Sequence, residues 1–261
     1  MTSSTVSHGL AGHPAPAPVS VRVLRPADIW QALVAGFNDM RRSRTDALTI
    51  AVIYPIAAVF LATVIVLRNF LPLVFPVCAG FALLGPMATL WYVAQSRRLE
   101  RGDESALAVF TPERLVAIQR LCAIAILLFV AWNVAAGIIY GLTLGSANEA
   151  VGAPFLYRVF HTEAGLALIF IGCGTGAVLA VSALAVFFIS FPLVLDRPVS
   201  ATQAIAVSVR AILRNPFLAL GWGVLVVAGL AVGAIPALIG IVIVLPTLGH
   251  ASWHLYRRLV V

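Results

Sequence analysis

The chain has 261 residues, 61% of them hydrophobic and only 10% charged, with a mean hydropathy of +1.03. A soluble domain carries about 25% charged and 45–50% apolar residues, so this composition excludes an ordinary soluble globule and points to a membrane protein. The formal charge of +7 comes from 17 basic residues against 10 acidic ones, and every basic residue is Arg. Because those Arg residues border apolar runs, they read as membrane-topology signals and not as a nucleic-acid surface. Abundant Ala and Arg without Lys is the composition expected of a GC-rich bacterial genome.

The first 24 residues open with MTSSTVSHGLAGHPAPAPVS, which is small, polar and Pro-rich. This stretch has neither the basic start nor the apolar run of a signal peptide. It holds too little apolar surface to order itself and is expected to be a disordered tail. Residues 25–261 are expected to form one membrane domain. At its start, Ile29, Trp30, Leu33, Phe37 and Met40 recur at helical spacing, which predicts an amphipathic helix over 27–42 lying in the membrane interface.

The spans are read from where charge disappears. Uncharged blocks of 21, 28, 28 and 32 residues lie at 47–67, 69–96, 121–148 and 164–195. A spanning helix needs about 20 apolar residues, so each of these blocks fits one span. The last block, 215–256, has 42 uncharged residues and fits two spans joined by a turn, for which Gly229, Gly233 and Pro236 are the breakers. The expectation is an all-α membrane protein with six transmembrane helices, at about 47–67, 71–95, 120–143, 166–192, 217–233 and 236–256. Two further interfacial helices are expected. One starts at Thr111-Pro112-Glu113 and runs towards span three, with a cap residue, a Pro and an acid in order. The other covers 200–214, opened by a Ser200/Gln203 capping box, with Arg210 and Arg214 opposite Ile205, Val209 and Ile212.

With six spans, 15 of the 17 Arg residues fall on one face, leaving only Arg68 and Arg158 on the other. The positive-inside rule makes the Arg-rich face cytoplasmic and places both termini there, in a bacterial inner membrane. The order of elements then repeats three times: an interfacial helix followed by a hairpin of two spans. Gly80, Pro86, Arg97 and Arg98 parallel Gly240, Pro246, Arg257 and Arg258 at a constant offset. Repeats running in the same direction resemble those related by an axis along the membrane normal.

Few residues carry chemistry. His250 and His254 lie one turn apart near the cytoplasmic end of span six, a spacing that suits joint ligation of a metal or axial ligation of haem. No further ligands accompany them, and hydrogen bonding to neighbouring helices is the plainer reading. Asn133 is the one strongly polar residue near a span centre, and it is expected to bond a neighbouring helix. Asp196-Arg197 follows span four as an ion pair or helix stop. Gly172-Cys173-Gly174-Thr175-Gly176 sits mid-span, so it suits close helix packing and not a nucleotide loop. Cys78, Cys122 and Cys173 are scattered in apolar runs and suggest no disulfide framework.

Several stretches resemble one family. These are Asp196-Arg197, Ser208-Val209-Arg210 with Arg214-Asn215-Pro216, and the ending Leu245-Pro246 through Gly249-His250, Trp253-His254 and Tyr256-Arg257. The run Arg97-Arg98-Leu99-Glu100-Arg101-Gly102 after Gly85-Pro86 looks similar too. Together they resemble the bacterial integral membrane family catalogued as domain of unknown function 2189. That resemblance implies no established activity, although some members are related by label to cytochrome c oxidase. No nucleophile–base set, paired carboxylates or phosphate loop is present, so the expected function is non-enzymatic: a scaffold or assembly factor, with no cofactor. Its partners would be the lipid bilayer and another membrane protein or a second copy. A small-solute transporter and a haem- or copper-associated respiratory accessory are the other two readings.

Overall fold

The computed structural model describes residues 19–43, 52–53, 55–60, 63, 67, 72, 74–146, 154–236 and 238–261. These residues are helical, with one isolated antiparallel bridge between Val21 and Val260. Most of the expected first span, 47–67, lies outside them; its described positions are helical. Of the expected tail, residues 1–18 also lie outside. Residues 20–24, by contrast, are tied down. Arg22 N–H donates to the Leu259 carbonyl at 2.9 Å, and Val261 N–H to Ser20 at 3.2 Å. Leu24 is buried, and its N–H donates to Asn215 Oδ1 at 2.7 Å. Backbone pairing with the other end of the chain orders a stretch whose composition alone does not.

Helix α1 covers Pro26–Arg42. Pro26 takes the first helical position, where its missing N–H costs nothing, and Asp28 accepts the Arg25 N–H at 2.7 Å. Helices α2 (Val74–Ala88) and α3 (Leu90–Arg101) form one rod, interrupted at Thr89, three residues after Pro86. Gly102 ends the rod in the left-handed conformation (φ 73°) that favours glycine. A 3₁₀ turn at Ala106–Val109 leads to α4, Pro112–Leu142. The Thr111-Pro112-Glu113 start therefore runs without a break into the third span. A short α5 (Phe155–His161) turns sharply into α6 (Glu163–Phe187). The corner needs Gly165, where a Cβ would lie 2.3 Å from the Arg158 carbonyl oxygen. Helix α7 (Ser190–Asp196) continues α6 after a two-residue bend. Helix α8 (Ala201–Arg214) opens with the expected capping box of Ser200 and Gln203. Helices α9 (Pro216–Ala234) and α10 (Ile241–Leu259) complete the fold.

Among the described residues, four stretches are long and apolar enough to cross a membrane: Val74–Arg101, Pro112–Leu142, Glu163–Asp196 and Pro216–Ala234. At 1.5 Å per residue the first and third rise about 42 and 51 Å, against a hydrocarbon core of about 30 Å. Their excess length carries Arg97–Arg101 and Asp196 beyond the apolar core. Helix α10 is not among the four. Its first turns are apolar, but its second half holds His250, Ser252, His254, Arg257 and Arg258.

Helix α1 lies along α10, α2 packs on α4, and α4 on α6. Helix α3 packs on α10, α7 and the 3₁₀ turn, and α8 packs on α6 and α7. The largest fully buried side chains include Trp253, Tyr92, Tyr256, Phe191, Leu255 and His250. They lie on α3, α7 and α10. Three of the long stretches, by contrast, leave most of their apolar surface open, with 17% of the apolar window buried in each, whereas 56% is buried in Glu163–Asp196.

Within the spans, Trp132 of α4 is the main wedge. Its indole N–H donates to the Pro76 carbonyl at 2.6 Å, and its ring lies against Gly80 and Gly176. Of the glycine pair at 172 and 176, therefore, Gly176 admits a neighbouring helix while Gly172 faces open space. Asn133 departs from expectation. Its amide donates to the Phe129 carbonyl one turn back at 2.9 Å, because that carbonyl is within reach of its own helix. The three cysteines are free thiols.

Candidate functional site: a buried polar layer at one end of the bundle

Helix α1 has two faces. Trp30, Val34 and Phe37 point outward, exposed by 68, 43 and 43%. Asp28, Ala32, Gly36, Asp39 and Met40 are buried, mainly against α10. The approach is close: a Cβ on Gly36 would lie 2.4 Å from the Ala251 backbone nitrogen. Small residues along this face let the two backbones meet, and two carboxylates are carried into the interface with them.

Asp39 organises the first group. Its Oδ2 accepts the Ser96 hydroxyl at 2.7 Å and His254 Nε2–H at 2.7 Å. Ser96 Oγ also lies 2.8 Å from His250 Nδ1. Ser96 has a single hydroxyl hydrogen and gives it to Asp39, so His250 Nδ1–H must be the donor to Ser96. The result is a chain from His250 through Ser96 to Asp39, closed from the other side by His254. Ser43 donates to the Asp39 carbonyl at 2.8 Å and lies 3.4 Å from His250 Nε2. Tyr92 packs its ring on that of His250, with centroids 5.6 Å apart. Burial works to raise the Asp39 carboxyl, but the His254 and Ser96 hydrogen bonds and the imidazole charges outweigh it and hold the group below the ordinary Asp value.

Asp196 organises the second group. Its carboxylate accepts from Arg101 and from the Tyr256 hydroxyl (2.7 Å), with Arg257 at 3.8 Å. Glu100 takes the Trp253 indole N–H at 2.7 Å and Arg257 Nε–H at 2.8 Å, and Arg257 lies over the Trp253 ring. These bonds join the ends of α3, α7 and α10. In the third group, Asp28 binds Arg22, Arg25 and Arg258 at 3.5–3.7 Å, linking the start of α1 to the end of α10. Burial would raise Asp28 as well. The Arg25 backbone N–H and the three guanidinium charges override it and lower the carboxyl.

The structure thus links His254 directly, and His250 through Ser96, to the Asp39 carboxylate and gives Asp196 a buried role. Asp196-Arg197 is expected to be an ion pair or a helix stop; no ion pair joins the two among the described residues, and Asp196 is the last residue of α7. Its acid turns inward because α7 ends against α3 and α10, while Arg197 stays at the surface. Arg210 and Arg214 are exposed on α8, apart from the buried groups. Sequence reading missed Asp28, Asp39, Ser96, Glu100, Arg101 and Tyr256. One signal was available: Asp28 and Asp39 stand eleven residues, three helical turns, apart, in line with Ala32 and Gly36.

Among the described residues, no group of three or more His, Cys, Asp or Glu could hold a metal. His250 is fully buried with both ring nitrogens facing serine hydroxyls, so ligation of haem would require this packing to open. A cavity of about 510 Å³ lies between α2, α6, α7, α9 and α10. Phe187, Phe191, Trp222 and Leu248 form part of its wall, and no charged side chain lines it. Its two hydroxyls, on Thr89 and Ser252, bond carbonyls of their own helices.

A helical bundle with spans of this length, closed at one end by a buried polar layer, defines an integral membrane protein. Residues 74–196 match the model of the family described as "Predicted integral membrane protein (DUF2189)". The match takes in the Gly85-Pro86 and Arg97–Gly102 stretches and ends at Asp196, before the His250–Tyr256 ending. No curated protein and no solved structure matches the chain.

Proposed function

We propose that this is a non-enzymatic inner-membrane protein that scaffolds, or assists the assembly of, another membrane complex. It would have six spans in three hairpins, the first and third preceded by an interfacial helix and the second by a 3₁₀ turn that leads directly into its span, with both ends of the chain in the cytoplasm. One observation carries the reading. The buried acids Asp28, Asp39 and Asp196 all bond side chains of other elements, which makes the layer a rigid frame, while the faces of the long helices stay open. Such faces suit lipid or partner helices.

The contacts also favour the threefold repeat. Helix α8 packs on α6 and α7, and the 3₁₀ turn before α4 packs on α3. Each of these elements rests on the helix that closes the preceding unit. Helix α1 rests on α10, the last helix of the third unit, as a closed ring of three units requires. Transport of a polar solute finds no support in an apolar cavity whose hydroxyls are already bonded.

The test compares membrane complexes on native gels from cells with and without the protein. The expected result is a membrane complex that fails to mature in its absence. Wild type should restore it, and a Val130→Trp/Val134→Trp variant on the open α4 face should not. A purified protein that is monomeric, partnerless and moves solute into liposomes overturns the reading. A stoichiometric haem or copper, lost in a His250→Ala/His254→Ala variant, would favour the respiratory-accessory reading instead.

A further inference from the structure

We propose that the cleft between the start of α4 and the start of α8 binds the phosphate of an anionic phospholipid. The inference rests on the reading that this end of the bundle is the cytoplasmic membrane boundary. The cleft holds about 330 Å³ and is lined by Glu113, Arg114, Val116, Ala117 and Arg120 on one side and Pro198–Ala201 on the other.

Its charge is unbalanced. Arg120 is exposed and has no hydrogen bond or ion pair among the described residues. Among the described residues Arg114 reaches two backbone carbonyls, of Val109 and Asp196 at 3.3 and 3.5 Å, and its Nε is buried with no acceptor. The Asp196 carboxylate already serves Arg101 and Tyr256. Glu113, the one acid in the cleft, turns back to Thr111 and its own N–H. Across the cleft, Ser200 caps the Gln203 N–H, while the N–H groups of Ala201 and Thr202 have no acceptor among the described residues. Two guanidinium groups and the start of α8 line one cleft, bringing together donors of the kind a phosphate accepts.

A free anion would need nothing more, but the surroundings add an apolar track. Val116, at the cleft, is 49% exposed. Leu127, Val134 and Ile138 continue along the same side of α4, exposed by 66, 56 and 56%. A phosphate site that opens onto such a stripe suits a headgroup with its acyl chain laid along the helix. Basic pockets between spans on the cytoplasmic side bind anionic headgroups in this manner.

The test uses the full chain in phosphatidylcholine vesicles with trace spin-labelled phosphatidylglycerol or spin-labelled phosphatidylcholine, and reads the motionally restricted fraction of each. Wild type should select the anionic label. Arg120→Gln, an exposed substitution that leaves the fold intact, should lower that selectivity about fivefold. Arg42→Gln, on the exposed end of α1, should lower it less than twofold. An equal loss in both variants means a diffuse surface charge and overturns the site, as does an absence of selectivity in wild type. Displacement of the label by inorganic phosphate overturns the lipid assignment. Labelling of a Ser20→Cys variant from outside intact cells would refute the cytoplasmic placement on its own, independently of these results and of the native-gel test.

Discussion

Removing Asp39 tests whether the polar layer holds α1 to the bundle. Asp39 is 6% exposed and accepts from both Ser96 and His254. Breaking a buried charged pair by deleting one partner costs about 3–5 kcal/mol. Asp39→Ala leaves two donors without an acceptor and should fall in that range. The His254 side chain is 22% exposed, so water can replace part of what it loses, and His254→Ala should cost about 1–2 kcal/mol. In the double variant the shared bond is already gone, so the losses should fall short of their sum by about 1–2 kcal/mol. The assay is unfolding of purified protein in mixed micelles on titration with a denaturing detergent, followed by tryptophan fluorescence. Trp253, buried in the same layer, is well placed to report. Additivity within about 0.5 kcal/mol would refute the pairing, and an Asp39→Ala cost below about 1 kcal/mol would refute its structural role.

Tyr256→Phe removes one of two close donors to Asp196 while Arg101 remains, and should destabilise by about 1–3 kcal/mol in the same titration. Gly36→Ala places a Cβ against the Ala251 backbone and should cost about 1–3 kcal/mol. Gly137→Ala, whose Cβ would meet nothing within 4 Å, should be neutral or stabilising by up to about 1 kcal/mol. Asp28 and Asp39 both have carboxyls lowered from 3.8 by folding. Their contribution is therefore complete above the unfolded value and is lost as pH falls through 3.8 and the lower folded values. Detergent resistance should hold from neutral pH to about 5 and fall below about 4. Asp28→Asn/Asp39→Asn should flatten that acid limb.

Much of the fold is legible in the sequence because charge is excluded from the hydrocarbon core. The uncharged blocks locate Val74–Arg101, Pro112–Leu142, Glu163–Asp196 and Pro216–Ala234. The Ser200/Gln203 and Thr111-Pro112-Glu113 signals mark the starts of α8 and α4, since caps act within one turn. The polar layer is harder to read, because its partners lie far apart in the chain. Asp39 meets Ser96 and His254 across separations of 57 and 215 residues, and neither composition nor periodicity encodes such pairings. Likewise, the α1 pattern predicts one apolar face towards lipid but leaves open what the opposite, small-residue face meets. Gly36, which reads as a helix weakener, is the residue that lets α10 approach.

The position of the layer follows from the same energetics. A charge at a span centre costs about 2.5–3.5 kcal/mol on insertion scales, whereas beyond the hydrocarbon it can be buried in protein if its partners arrive with it. The long rods carry Glu100, Arg101 and Asp196 past the apolar core. Helix α10 supplies Trp253, Tyr256 and Arg257 to meet them, and α1 brings Asp28 and Asp39 from the side. Arg suits this arrangement better than Lys. One guanidinium can serve two acids, as Arg257 does with Glu100 and Asp196, because its donors are spread over a rigid fork. The Arg residues left over include Arg114 and Arg120, which form no ion pair among the described residues.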